Sequence, residues 1–561
     1  MGLIRKPAHW LLLLVTLSML AAACGGGGGG GSSEPASEGG GAASETGAAS
    51  ESTDAGQAAE GGSVVFGADQ QPDIMNPTLT AGNLFATTVI TTPLLEGAYQ
   101  LLPDFTYQPQ LIDGEAETTQ DPFTVTYTIK DEAQWSDGEP ITAQDFIFTW
   151  KTYVNEKWDI TSRDGYDQIT DGEAMDDKTV RFTFDKPFAP YKVLFSPILP
   201  QHELQGKNFN QVWNDEVTLS SGPFEFDSWQ KGQQATIKRN ENYYGEPAKL
   251  DEISFRFLED SNTQVQSLQG EEIDMMYPQP QIDLVEQVSE IEGVKAETAA
   301  GTVWEHLDFN FAVPPLDQLF VRQAIAHGID REALAEQLIK PINPEAVPLQ
   351  NLIYVNNQAE YEPHFDQYNY DPDRARQLLE ENGCTEGDGG IYECDGEPLS
   401  FRYTTTAGNE LRELQLEVIQ AQLSEIGIDI KSDIGDAATV FADVLPSGAD
   451  GAWDLFNFAW VGSPDPFGGN AIWMCEGGQN YNSYCNEEVT DLLRETNTLL
   501  DPAERAATYN EADALMADDL PVLPLYQKPT YFAWNERISG PKENPTQAGP
   551  TWNAGEWFLT E

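Results

Sequence analysis

Positive charge is short in this sequence: 30 Lys and Arg stand against 92 Asp and Glu, a formal net charge of −62. A basic footprint for nucleic acid is missing, and phosphate backbones would be repelled. A cationic ligand is one use for such a surface. The acidic residues are spread along the whole folded part, however, as a highly solvated surface suited to a salty or alkaline exterior requires. Histidine is sparse too, at five residues, and His202-Glu203 lacks the second His of a zinc-helix motif. There is no GxSxG, no P-loop and no GxGxxG opening a helix. The chain therefore reads as a non-enzyme with no catalytic residue, metal or cofactor. Carboxylates are abundant enough for a glycosidase-like pair to arise by chance, which leaves a secreted hydrolase as a rival reading.

Long apolar runs are absent after the first segment: no later stretch approaches the roughly 18 continuous residues of a spanning helix. The exception is N-terminal. Arg5 and Lys6 precede an almost unbroken apolar run from Trp10 to Leu20, followed by Ala21-Ala22-Ala23-Cys24. A basic start, a short apolar stretch and small residues before a cleavage point describe an export signal over residues 1–24. Its end resembles the bacterial lipobox, so Cys24 is expected to carry lipid and anchor the protein to the cell membrane. Residues 25–62 contain no aromatic and no Val, Leu or Ile. Such a segment buries too little to offset its ordering entropy and reads as a disordered tether with a reach of about 35 Å.

Cysteine is scarce as well. Four remain after Cys24, in two local pairs, Cys384 with Cys394 and Cys475 with Cys485. An exported chain permits disulfides, and near-neighbour pairing is the simplest of the possible connectivities. A metal site is the rival, but it favours CxxC-like spacing with nearby His.

What the chain does have is aromatic mass: 13 Trp, 20 Tyr and 26 Phe, enough for two or three packed domains in the roughly 500 residues after the tether. Phe123, Val125, Tyr127 and Ile129 alternate with threonines, predicting a half-buried strand. A turn at Trp135-Ser136-Asp137-Gly138 follows, and Thr142 with Asp145 caps a helix whose apolar face is Phe146, Ile147, Trp150 and Tyr153. Val180, Phe182 and Phe184 predict another strand, as do Ile253, Phe255 and Phe257. Asp371-Pro372 and Asp501-Pro502 open helices, with Gly383 closing the first. Val321–Gly328 and Arg331–Ile339 read as consecutive helices divided by a cap at Asp330. Strands and helices mix without a strict βα repeat, so the class is α/β with mixed sheets.

Six blocks carry a resemblance. They are VTYTIKDEAQWSDGEPITAQDFIFTW (Val125–Trp150), SSGPFEFDSWQKG (Ser220–Gly232), RNENYYGEPAKLDEISFRFLEDSNTQVQSLQGEEIDM (Arg239–Met275), HLDFNF with VRQAIAHGIDREAL (His306–Leu334), YDPDRARQLLEENG (Tyr370–Gly383) and LPVLPLYQKP (Leu520–Pro529). In this order they resemble family 5 of the bacterial extracellular solute-binding proteins, the oligopeptide- and dipeptide-binding group. The resemblance implies a two-lobed periplasmic-binding-protein (Venus-flytrap) fold. The first lobe takes residues 63–93, 219–300 and 520–561, and an additional domain of residues 94–218 sits on it. The second lobe takes 301–519, joined by crossings near Thr302–Phe309 and near Pro521. It also implies a monomer that captures a peptide or another oligomeric small solute and delivers it to ABC transporter permease subunits. A receptor for oligosaccharides or glycosides of the same fold is the alternative.

Within that frame the loop after a strand at Trp453–Phe458 is the leading cleft candidate, with Trp460, Ser463 and Asp465. Peptide-binding members place here an Asp that pairs with the ligand's α-ammonium. The spacing from Trp460 to Asp465-Pro466 is one residue shorter, and Ser463 stands where that Asp would be; Asp465 either reaches the ligand or caps the next turn. Gln71 and Asn76 after the first strand, Trp304 at the first crossing, Trp229 after the Gly-Pro strand, and Asn480 and Tyr481 inside the Cys475–Cys485 loop complete the expected aromatic-walled pocket.

Overall fold

The computed structural model describes residues 61–560. The signal segment, Cys24 and nearly all of the tether expected at residues 25–62 lie outside them.

Fourteen strands suffice to place the site: β1 (Ser63–Ala68), β2 (Glu117–Gln120), β3 (Phe123–Thr128), β4 (Ile169–Ala174), β5 (Thr179–Phe184), β6 (Phe224–Gln230), β7 (Gln234–Arg239), β8 (Glu252–Phe257), β9 (Met275–Met276), β10 (Val294–Phe309), β11 (Ser400–Thr406), β12 (Asp429–Gly435), β13 (Leu455–Val461) and β14 (Val522–Asn535). Among the described residues the largest sheet has ten strands in the order β12-β11-β13-β10-β14-β9-β1-β8-β7-β6. Mixed parallel and antiparallel pairs make it up, as the α/β reading required. A second sheet, β2-β3-β5-β4, is antiparallel throughout.

The long strands β10 and β14 hold the two halves of the large sheet together. They pair from Val294↔Asn535 to Ala300↔Pro529, lose register, and resume at Trp304↔Gln527. The apolar side chains divide at the same point. Phe532 and Trp534 pack in a core with Phe66, Phe255 and the strands of the second sheet, whereas Val522, Leu523, Leu525 and Tyr526 pack in another with Leu307, Ile325 and Tyr403. The return crossing therefore lies at Gln527–Thr530, later than the boundary at Leu520 expected from sequence. Each crossing is a continuous strand, so the halves can rotate by bending two ribbons without breaking the ladders beyond them.

Local signals explain the elements around this frame. The Asp145 carboxylate accepts the Thr142 N–H at 2.8 Å and opens helix α1 (Ala143–Tyr153). Asp371 accepts the Arg374 N–H at 2.9 Å at the start of Pro372–Glu381, and Asp501 accepts the Ala503 and Glu504 N–H groups at 3.0 Å at the start of Pro502–Asp519. Disulfides join Cys384 to Cys394 and Cys475 to Cys485.

Candidate functional site

Strand direction locates the site. β1 runs parallel to β8 and β9, and β9 is antiparallel to β14 with Met276 opposite Ala533, so all three point their carboxyl ends toward the crossing. In the other half β11 runs parallel to β12 and β13, and β13 is antiparallel to β10 with its last residue, Val461, opposite Val303 at the crossing. Six carboxyl ends thus face one another across the place where the halves join. In open α/β sheets that is where ligands bind.

Trp460 stands at this edge. The strand expected at Trp453–Phe458 runs instead from Leu455 to Val461, so Trp460 belongs to β13 and not to the loop after it. Its cross-strand partner is Trp304. The Trp460 ring stacks on Tyr481 at 6.3 Å and on His306 at 6.1 Å, with Phe458 edge-on at 4.9 Å. Trp304 packs on His306 at 4.9 Å and is itself 4% exposed. Of the expected pocket residues, Trp304, Trp460 and Tyr481 are therefore brought together. The buried Trp460 Nε1 has no hydrogen-bond partner among the described residues, nor does either ring nitrogen of His306, whose Nε2 lies 3.7 Å from the Asp308 carboxylate. Buried donors are normally satisfied, so this aromatic group leaves polar capacity unused.

Gln71 and Trp229 belong to the opposite half. The Gln71 Oε1 accepts the Gly232 N–H at 2.8 Å, tying the loop after β1 to the β6–β7 turn. Trp229, half-buried, lies under Lys231 at 4.5 Å, and its Nε1 is also unpartnered among the described residues.

Three expected contacts are engaged elsewhere. Asn76 is fully buried: its Nδ2 donates to the Val212 carbonyl at 3.0 Å and its Oδ1 accepts from Thr78, so it fixes a turn inside the fold. Asn480 spans the disulfide loop through the Met474 and Tyr484 carbonyls. Both Asp465 oxygens are held by Arg505, at 2.7 and 2.8 Å, while one also accepts the Phe467 N–H at 3.0 Å. Burial works against the Arg505 charge, yet the Asp465 carboxylate more than offsets it and holds the guanidinium above its ordinary range. Asp465 is thus a cap and an ion-pair partner. Ser463, half-buried two residues earlier, has no such tie.

Residues the sequence reading missed line the same edge. Tyr107 lies close enough to Asp465 for that charge to reinforce burial in raising its phenol. Asp69, directly after β1, has its carboxyl pushed up to about 6 by burial, against the pull of its own backbone amide. Glu305 and Arg412 form a buried pair at 2.9 Å, with Lys528 of β14 alongside. Burial opposes the Glu305 charge, but Arg412 and Lys528 keep its carboxyl below the usual range. The signal available was a lone Lys, beside Gln527, in the largely apolar block LPVLPLYQKP.

Comparison with known proteins bears on this arrangement. The model of the bacterial extracellular solute-binding proteins, family 5 Middle, matches residues 106–482. The oligopeptide-binding protein AppA of Bacillus subtilis (strain 168) is 25% identical over 525 residues, covering 90% of this chain and 93% of that protein. Among solved structures, the periplasmic EDTA-binding protein EppA superposes with a TM-score of 0.82 at 29% identity, covering 92% of this chain and 100% of that one. AppA from Bacillus subtilis in complex with a nonapeptide gives 0.71 at 23% identity, over 90% and 100% of the two chains.

Proposed function

The chain belongs to the bacterial extracellular solute-binding proteins, family 5, and from that premise we propose that it captures a peptide or similar oligomeric solute between two lobes and delivers it to the permease of an ABC importer. The convergence of six strand carboxyl ends on the Trp304–Trp460–Tyr481 group carries this reading. Aromatic faces supply large contact area at small entropic cost, and an ion or hydrogen bond fixes orientation. Closure of the lobes would complete the contacts, so that solute binding and closure stabilise each other. In this reading residues 63–93 and 219–300 with the tail beyond the return crossing at Gln527–Thr530 form one lobe, 94–218 sits on it, and the chain from residue 301 to that crossing forms the other. Cys24 would carry the lipid and residues 25–62 would leash a monomeric body to the membrane.

Thermal unfolding against panels of peptides and oligosaccharides tests the proposal. A solute at 100 times its Kd adds about 2.7 kcal/mol to stability, a readily measured shift. Stabilisation by peptides supports the peptide reading; stabilisation by glycans alone moves the assignment to the sugar receptor. Turnover of a compound would replace transport with hydrolysis.

A further inference from the structure

Among the described residues very few side chains leave one of the two large cores for the other. Phe105 is the only residue before Gly301 that packs in the core of Leu307, Ile325 and Tyr403, where it is 8% exposed. In the other direction, between Trp304 and Tyr526, only Phe467 and Leu500 pack against the core of Phe66 and Phe182. Phe467 meets Phe188 edge-on at 5.4 Å, and next to it the Ala189 N–H donates to the Asn497 carbonyl at 2.9 Å. Each half thus lends a ring to the other.

Both sides of this contact are built for it. Phe105 stands at the tip of a hairpin whose strands, Tyr99–Leu101 and Tyr107–Pro109, pair antiparallel. The base is tied to the C-terminal tail, Gln100 Nε2 donating to the Trp552 carbonyl at 2.9 Å and Asn544 Nδ2 to the Leu101 carbonyl at 3.3 Å. The tip is a tight turn: Phe105 N–H donates to the Leu102 carbonyl at 3.0 Å, and Asp104 Oδ1 accepts from the Thr106 N–H at 3.1 Å and hydroxyl at 2.6 Å. Phe105 itself has φ 67°, a left-handed conformation that a bulky side chain keeps only where its surroundings demand it. On the receiving side, Arg505 donates to the Thr496 carbonyl at 2.9 Å and to the two Asp465 oxygens at 2.7 and 2.8 Å. One guanidinium therefore joins the turn that carries Phe467 to the loop that carries Asn497 and Leu500.

We infer that the Phe105 hairpin and the Phe188 turn form a latch, made when the two halves close and broken when they part. The inference rests on the two-lobe transport reading and adds to it a closed-state contact that no solute supplies. While the hairpin stays bonded to the tail, rotation about the two crossing strands withdraws Phe105 from one core and Phe467 from the other. Both rings then meet water and the Ala189 amide loses its partner. Contacts more than 80 residues apart in the chain thus break in one step. Because the latch touches no ligand group, it scales the affinity of every solute by the same factor.

The test is hydrogen exchange of the full chain at single-amide resolution, without solute. In the unmodified protein the Phe105 and Ala189 amides should open together, with equal protection, about tenfold or more below that of the amides of β3 and β5. F105A should lower Ala189 protection about tenfold and leave β3 and β5 unchanged, F467A should expose the Phe105 amide in return, and F105L should keep the coupling. Small-angle scattering should show a larger radius of gyration for solute-free F105A than for the unmodified chain. Unequal protection of the two amides in the unmodified protein overturns the latch with no variant needed, so a poorly folding F105A does not blunt the test. Ala189 protection untouched by F105A overturns it too, as does loss shared equally by β3 and β5, which would make the contact part of one rigid fold. No solute enters the measurement, so a failure of the peptide and glycan panels counts against transport and leaves this outcome separate.

Discussion

Replacing Asp465 should cost fold stability before it costs recognition. Both carboxylate oxygens are held by Arg505, and the two side chains are 13% and 14% exposed. Removing one partner of a buried pair typically costs 3–5 kcal/mol, because the other charge is stranded. Arg505 retains the Thr496 carbonyl at 2.9 Å and Tyr509 Oη at 3.4 Å, which brings the expected cost of D465A to about 2–4 kcal/mol. About 1 kcal/mol of that belongs to the lost cap on Phe467. D465N keeps an acceptor for that cap, so it should be the milder variant. R505A should approach D465A in cost, and the double variant should cost clearly less than the two singles summed. Urea unfolding followed by circular dichroism reads all four proteins. If D465A unfolds within about 0.5 kcal/mol of wild type, the level expected of an ordinary surface substitution, while solute affinity collapses, Asp465 is a ligand contact and the structural reasoning is refuted.

Three further outcomes follow from the same geometry. The Asp69 carboxyl is raised to about 6, above its unfolded value of about 3.9, so the protonated form is favoured by folding and stability is lost as pH rises from about 4 through 6. D69N should therefore be more stable than wild type at pH 8, by about 3 kcal/mol, and no more stable at pH 4; equal stability at pH 8 would mean the carboxylate is fully solvated. Opening the Cys475–Cys485 bridge with C475S/C485S should cost about 3 kcal/mol for its short loop, and should also loosen Tyr481 from Trp460; unchanged unfolding under reducing and oxidising conditions would count against this. A Cβ on Gly448 would lie 2.1 Å from the Tyr481 carbonyl oxygen, so G448A must displace that backbone and should lower both melting temperature and solute affinity, whereas an affinity equal to wild type would detach Tyr481 from the site.

Legibility in the sequence followed the range of the interaction. The Thr142–Asp145 box and the Asp-Pro helix starts were readable because cap and capped amide lie within three residues. The end of β13 was not, because Leu455-Phe456-Asn457-Phe458-Ala459-Trp460-Val461 is apolar on both faces and no alternation marks where the strand stops. The return crossing was misplaced for a related reason: Leu520–Pro529 is almost uniformly apolar, and its hinge shows only as a change of core. Asp465 looked available because its partner lies 40 residues on, and Asn76 because its carbonyl partner is 136 residues away. The aromatic residues of the site were recognisable by type, but only strand register put Trp304 opposite Trp460. The Glu305–Arg412–Lys528 group was invisible because its charges come from two strands and a helix more than 100 residues apart in the chain.

The central claim is a solute held between two lobes that close on it. Small-angle scattering of the protein, with and without the panel compound that stabilises it, addresses this most directly. The account predicts a smaller radius of gyration at one bound solute per chain, and loss of that contraction in W460A. Binding of the compound with no contraction, or with contraction unaffected by W460A, would contradict it.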